Sequence, residues 1–112
     1  MFSAMLTITA MIYSGLPNPS WTVDRAREKQ LLAAIEALEP RPGPCPDSGG
    51  LGYSGIQVSR KAGDGEKQRW LFHGGFVAAD GKCYLDPERR IEKWLVETGK
   101  AHLSKDEFEE MH

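Results

Sequence analysis

Hydrophobic positions along the chain first recur with a period of two. Leu6, Ile8, Ala10 and Ile12 alternate with Met5, Thr7, Thr9 and Met11. Both sets are apolar enough for an interior strand covered on both faces. A helical period follows. Leu31, Ala34, Ile35 and Leu38 form one stripe, and Arg25, Glu28, Lys29 and Glu36 fall on the wet side. Thr22 is placed to cap this helix, Asp24 favours its first turn, and Pro40 stops it. The four prolines of "PRPGPCPDSGG" (residues 40–50) make a connecting loop, because they neither continue a helix nor donate to a ladder.

Period two then returns. In "LGYSGIQVSRK", Ile56 and Val58 share one face, and Tyr53 and Gln57 the other. "AGDGE" is a turn. "QRWLFHGGFVAA" reads as one central strand, with Trp70, Phe72 and Phe76 facing one way and Leu71, His73 and Val77 the other. Asp80-Gly81 suits a two-residue hairpin turn that pairs Ala79 with Lys82 and Ala78 with Cys83. Asp86-Pro87-Glu88 opens a second helix whose buried side is Ile91, Trp94, Leu95 and Thr98, with Gly99 as its stop. Ser104 to Glu107 matches a capping box before a short helix carrying Phe108 and Met111.

These elements predict a single α+β domain over residues 1–112, with its core at about 5–99. The order is β-α-β-β-β-α plus a short C-terminal helix. Three sequential strands form a meander, the first strand joins them through the helix, and both main helices lie on one face of a four-stranded mixed sheet. The other face would then carry aromatic and aliphatic side chains. An apolar face of that kind predicts a partner, a ligand groove or a homodimer, or else loops and the tail helix lying across it.

Composition narrows the function classes. The 112 residues are 40% hydrophobic and 27% charged, a globular composition. The net charge is −2, which gives no attraction for a nucleic-acid backbone. Asp106, Glu107, Glu109 and Glu110 outweigh Lys105 over residues 104–112, a net of −3 that leaves +1 for the rest and reads as a solvated acidic tail. The apolar start of the chain has no preceding Lys or Arg, is interrupted by threonines and is too short to span a bilayer. The expectation is a cytoplasmic protein without a membrane segment, in which Met1–Ala4 form a loose leader. Cys45 and Cys83 stand 38 residues apart outside any CxxC pair. Free thiols are the expectation for a reducing compartment, while the sequence leaves a bridge open.

Candidate chemistry is sparse. His73, His102 and His112 show no metal-ligand spacing, and the glycine-rich stretches match no phosphate-binding loop, so neither metal nor cofactor is expected. The predicted hairpin puts Cys83 and His73 on opposite faces, too far apart for proton transfer. The loop "YSGLPNPSW" (residues 13–21) is the sharpest feature. Gly15 can take a positive φ where the strand ends, and Pro17 and Pro19 hold Asn18 between two fixed dihedrals, flanked by Tyr13 and Trp21.

The run "IYSGLPNPSW", together with Leu51-Gly52-Tyr53-Ser54-Gly55 and "GKCYLDPERRIEKWL", resembles the signature of a small, uncharacterised bacterial protein family with the motif Y-S-G-x-P-N-P-x-W. The resemblance implies a bacterial source and adds weight to the loop and to Tyr53, but it transfers no catalytic residue. Leu16 stands where relatives would carry a basic residue. The sequence therefore predicts a small non-enzymatic interaction or ligand-binding module that self-associates, with Asn18, Tyr13, Trp21, Tyr53 and His73 as ligand-binding candidates. The alternative is a small enzyme or pathway accessory protein whose polar site surrounds the 13–21 loop.

Overall fold

The computed structural model describes residues 6–13, 17–46, 53–61 and 67–111. The expectations for Met1–Ala4, Met5, Gly15, Leu16, the 62–66 turn and the Leu51-Gly52 pair lie outside these residues. The strands are β1 (Leu6–Ala10), β2 (Ser20–Thr22), β3 (Glu39–Arg41), β4 (Ile56–Lys61), β5 (Lys67–His73), β6 (Phe76–Ala79) and β7 (Lys82–Leu85). The helices are α1 (Arg25–Glu36), α2 (Arg90–Thr98) and α3 (Lys105–Met111).

The domain is α+β, but the four-stranded mixed sheet is overturned. All seven strands join one sheet in the order β2-β1-β4-β5-β6-β7-β3, and every pairing is antiparallel. Three departures account for the difference. The loop after β1 returns as the three-residue strand β2 at one edge, so Thr22 is a strand residue and not a cap. Asp24 caps α1 instead, its carboxylate accepting from the Arg27 N–H at 2.8 Å. At the opposite edge, Pro40 sits inside β3. Its missing donor is tolerated there because only an outermost strand can leave one side unpaired.

The third departure changes which residues share a face. Gly74 and Gly75 both have positive φ (60° and 94°) and form a tight turn, so "QRWLFHGGFVAA" is two strands and not one. Inserting a turn resets the alternation. Trp70 and Phe72 now share their face with Val77, whereas Leu71 and His73 share theirs with Phe76. The next hairpin follows the expected register, with Ala79 opposite Lys82 and Ala78 opposite Cys83.

The inner face is built from two cross-strand rows. One runs Trp21, Ile8, Val58, Trp70; the other runs Ala10, Ile56, Phe72, Val77, Tyr84. Leu31 of α1, Leu95 and Val96 of α2 and Met111 of α3 bury against this face. The acidic tail is thus a docked helix and not a free solvated end, and the expected Ser104–Glu107 capping box closes its N-terminus in both directions. The helix stripes differ in detail from expectation. Ala34, Ile35 and Leu38 are only half-buried, while Glu28, expected to be wet, is buried and accepts the Leu6 N–H at 2.8 Å. On α2, Ile91, Trp94 and Thr98 are half-buried, and Glu92 is completely enclosed.

The expected uncovered apolar face is absent among the described residues. The outer face is polar across β1 and β4, with Thr7, Thr9, Gln57 and Ser59. It turns apolar only towards β6, where Leu71, Phe76 and Ala78 are half-buried. Tyr13 is the one large hydrophobic side chain exposed among the described residues. No described helix is long and apolar enough to cross a membrane.

Gly99 ends α2 as expected, but its φ of −95° needs no glycine. Space decides the residue: a Cβ there would lie 2.2 Å from Cζ2 of Trp21. Gly99→Ala should therefore destabilise the fold by about 1–3 kcal/mol through overpacking. A gain in stability by urea denaturation, as helix propensity alone would give, would contradict this account.

Candidate functional site

The five candidate residues fall into two groups. Asn18 acts on its own loop: its Oδ1 accepts the N–H groups of Ile12 (3.0 Å) and Tyr13 (2.7 Å). It thereby gives the Tyr13 N–H an acceptor after β1 and shares the Ile12 N–H with the Ala10 carbonyl, which lies 3.1 Å from it. Trp21 is buried, donates its indole N–H to Thr98 Oγ1 at 3.0 Å, and lies parallel to His102 with ring centroids 6.2 Å apart. Tyr13 reaches α3, donating its hydroxyl to Glu107 Oε2 at 2.5 Å. Tyr13, Asn18 and Trp21 thus turn towards the fold they belong to.

Tyr53 and His73 are brought together, with ring centroids 5.6 Å apart and a tilt of 54°. They line a cleft of about 270 Å³ with Gly74, Arg89, Glu92, Glu110 and Met111. The centre of this cluster is Glu92, which the sequence reading missed because a carboxylate between Ile91 and Trp94 reads as a wet position. Its carboxylate accepts the Tyr53 hydroxyl (2.6 Å), the Gly74 N–H (2.9 Å), and Arg89 Nε and Nη2 (3.2 and 2.9 Å). Such a complete donor set is what a buried carboxylate requires.

Local backbone geometry makes this possible. Glu88 and Arg89 both adopt left-handed conformations, φ 59° and 56°, in the short 3₁₀ turn Pro87–Arg89. Strain at two successive non-glycine residues persists only where surrounding contacts hold it. Buried Asp86 supplies these, accepting the Ile91 and Glu92 N–H groups at 2.9 and 3.0 Å. The turn sends the Arg89 guanidinium back to Glu92 and on to the Met111 carbonyl at 3.0 Å. Glu110 adds a bond from the Tyr53 N–H at 3.2 Å. The polar cluster therefore joins the start of β4, the β5–β6 turn, α2 and α3.

Electrostatics argue against chemistry in this cleft. Burial, reinforced by the hydrogen bond to Glu92, pushes the Tyr53 phenol well above its ordinary range. A tyrosinate nucleophile or base at neutral pH is therefore disfavoured. Glu92 in turn holds Arg89 protonated. Neither thiol offers a nucleophile, because Cys45 and Cys83 form a disulfide, contrary to the expectation of free thiols. The sequence spacing held no trace of this, since the bridge depends on the loop after β3 folding back over β7. No group of three His, Cys, Asp or Glu among the described residues is arranged to hold a metal.

Two further cavities lie elsewhere, between α1 and α2. One, of about 270 Å³, is lined by Gln30, Leu31, Ala34, Arg90, Ile91 and Trp94. A second, of about 320 Å³, shares Ala34, Arg90 and Ile91 with it and extends past Leu38 and Leu85. Ala34 and Ala37 are too small to fill the space between the helices, which leaves a groove with mostly apolar walls, bordered by Gln30, Glu39, Asp86 and Arg90. No family model matches the chain, and no curated protein or solved structure is significantly similar to it.

Arg89→Ala should lower stability by about 2–4 kcal/mol, because it leaves the Glu92 carboxylate buried without its counter-charge. Adding Glu92→Gln should recover part of that loss in a double-mutant cycle read by chemical denaturation; additive losses would contradict the pairing. The Tyr13–Glu107 bond predicts a pH window. Backbone and tyrosine hydrogen bonds lower the Glu107 pKa, so its contribution is present above the unfolded carboxyl pKa and lost as pH falls through the lower folded value. The same bond raises the Tyr13 pKa, so that contribution is lost only as pH rises through the raised value. Hydrogen exchange at the α3 amides should show both limits, and Glu107→Gln should remove the acidic one.

Proposed function

We propose that the protein is a small non-enzymatic ligand-binding module whose site is the groove between α1 and α2. The observation that carries this reading is the groove itself: apolar walls from Leu31, Ala34, Ile91 and Trp94, and Arg90 bordering both of its cavities. Volumes of this order sit near the lower bound of small-molecule sites, roughly 300–1,000 Å³. An apolar body in the groove and an anionic group against the Arg90 guanidinium make the complementary ligand, an amphipathic carboxylate. The Tyr53–His73 cleft is the weaker candidate, since the Tyr53 hydroxyl, the Gly74 N–H and the Arg89 guanidinium that face it are already committed to Glu92.

Self-association belongs to this proposal in reduced form. An apolar outer sheet face would favour it, and the outer face is largely polar across β1 and β4. Light scattering decides it: a dimer would implicate the groove, and a monomer would leave the groove open for a ligand. Bacterial origin enters only through the Y-S-G-x-P-N-P-x-W resemblance. Residence in the cytoplasm is in tension with the Cys45–Cys83 bridge, because reducing compartments keep thiols apart. Alkylation at harvest followed by non-reducing mass spectrometry distinguishes the two states.

Straight-chain carboxylates of increasing length should raise Tm progressively, since binding to the native state stabilises it by mass action. Arg90→Ala should weaken binding about tenfold or more, the loss of one charge-assisted hydrogen bond. Ala34→Trp should abolish it by filling the groove. A series that leaves Tm unchanged at every chain length would sink the proposal.

A further inference from the structure

On the opposite face of the sheet, residues 42–46 form a strap that leaves β3 and runs over β7 and β6. Cys45 is bridged to Cys83 of β7. Cys45 and Pro46 close a small cavity of about 50 Å³ above Leu71, His73, Phe76 and Ala78. This is the apolar end of the outer face, and Arg41 adds to its cover by lying over the Phe76 ring at 5.1 Å.

Among the described residues little else holds the strap. Pro42, Pro44 and Pro46 carry no N–H, so Gly43 and Cys45 are its only backbone donors. Arg41 Nη1 reaches the Pro44 carbonyl at 3.2 Å, but Arg41 is the strap's own near neighbour in sequence. The Cys45 sulfur lies 3.4 Å from the Val77 carbonyl oxygen and, being bridged, has no hydrogen to donate. The two cysteines also differ in exposure: Cys45 is partly buried, whereas Cys83 is 1% exposed. An attacking thiolate therefore meets the Cys45 side first.

We propose that the Cys45–Cys83 disulfide is a reducible clasp, whose opening by a dithiol releases the strap and uncovers the apolar patch of Leu71, Phe76 and Ala78. One thiolate of the reductant attacks Cys45 Sγ, the S–S bond breaks, and its electron pair leaves with the Cys83 sulfur, which takes up a proton. The second thiolate of the reductant then attacks the mixed disulfide, closing the reductant's own S–S bond and releasing Cys45 as a thiol. Two electrons and two protons pass to the protein. The clasp is independent of the α1–α2 groove and stands or falls separately from it.

The test uses the full chain before and after treatment with dithiothreitol. Near-ultraviolet circular dichroism checks that the fold persists, an apolar dye reports the patch, and alkylation rates report the thiols. Reduction should raise dye fluorescence severalfold with the fold intact, and Cys83 should react within about tenfold of the Cys45 rate once its cover is gone. Cys45→Ser, untreated, should bind dye as the reduced protein does. The proposal is overturned if the reduced protein binds no more dye than the oxidised one, or if Cys83 stays more than about a hundredfold slower than Cys45. Loss of the whole fold on reduction overturns it too, because the bridge would then be a global staple.

Discussion

Glu92 holds an ionisable side chain inside the domain with no surface in contact with water, and the means of its neutralisation organise much of the structure. Four hydrogen bonds reach its carboxylate from Tyr53, Gly74 and Arg89. Each donor comes from a different part of the chain. Gly74 sits in the β5–β6 turn, Tyr53 precedes β4, and Arg89 belongs to the strained turn before α2. Because Arg89 also holds the Met111 carbonyl, the docking of α3 is coupled to the same charge. A buried acid with fewer donors would cost several kcal/mol. The left-handed pair Glu88–Arg89 is thus explained by where it sends one guanidinium.

The same network leaves Tyr53 and Glu92 poorly placed for catalysis in their cleft. A catalytic acid or base must be able to give up its partners as the reaction proceeds. Here the carboxylate is saturated and the phenol is held protonated. The α1–α2 groove has the opposite character. It exists because Ala34 and Ala37 leave volume unfilled between two helices that each pack on the sheet. Its walls are apolar, and Arg90 stands at its border in a position to meet an anion.

Local features were legible in the sequence where one residue type has one physical use. The Asp80-Gly81 turn, the β6–β7 register, the capping box at Ser104 and the two main helices follow from short-range chemistry. The sequence also marked residues whose reasons proved different. Asn18 stands out between two prolines, and the structure gives its carbonyl oxygen to two backbone N–H groups. Gly99 reads as a helix stop, and it is required by the Trp21 ring packed against it. The Gly74-Gly75 pair lay inside what read as one continuous strand, and because it is a turn the expected faces of Phe76 and Val77 are reversed.

The sequence by itself determined the α+β class in its broad sense, the β6–β7 hairpin and the helix limits to within a few residues, because hydrophobic period, turn residues and caps act over a handful of positions. The three-strand meander it predicted is four strands, β4 to β7. Only the tertiary structure decided the seven-strand order, the edge places of β2 and β3, the Cys45–Cys83 bridge and the burial of Glu92. Those features depend on groups distant in sequence meeting in space. A three-residue edge strand has too short a period to recognise. A carboxylate shows no sign, in its own neighbourhood, of the donors that 18 or 39 residues of separation will bring to it.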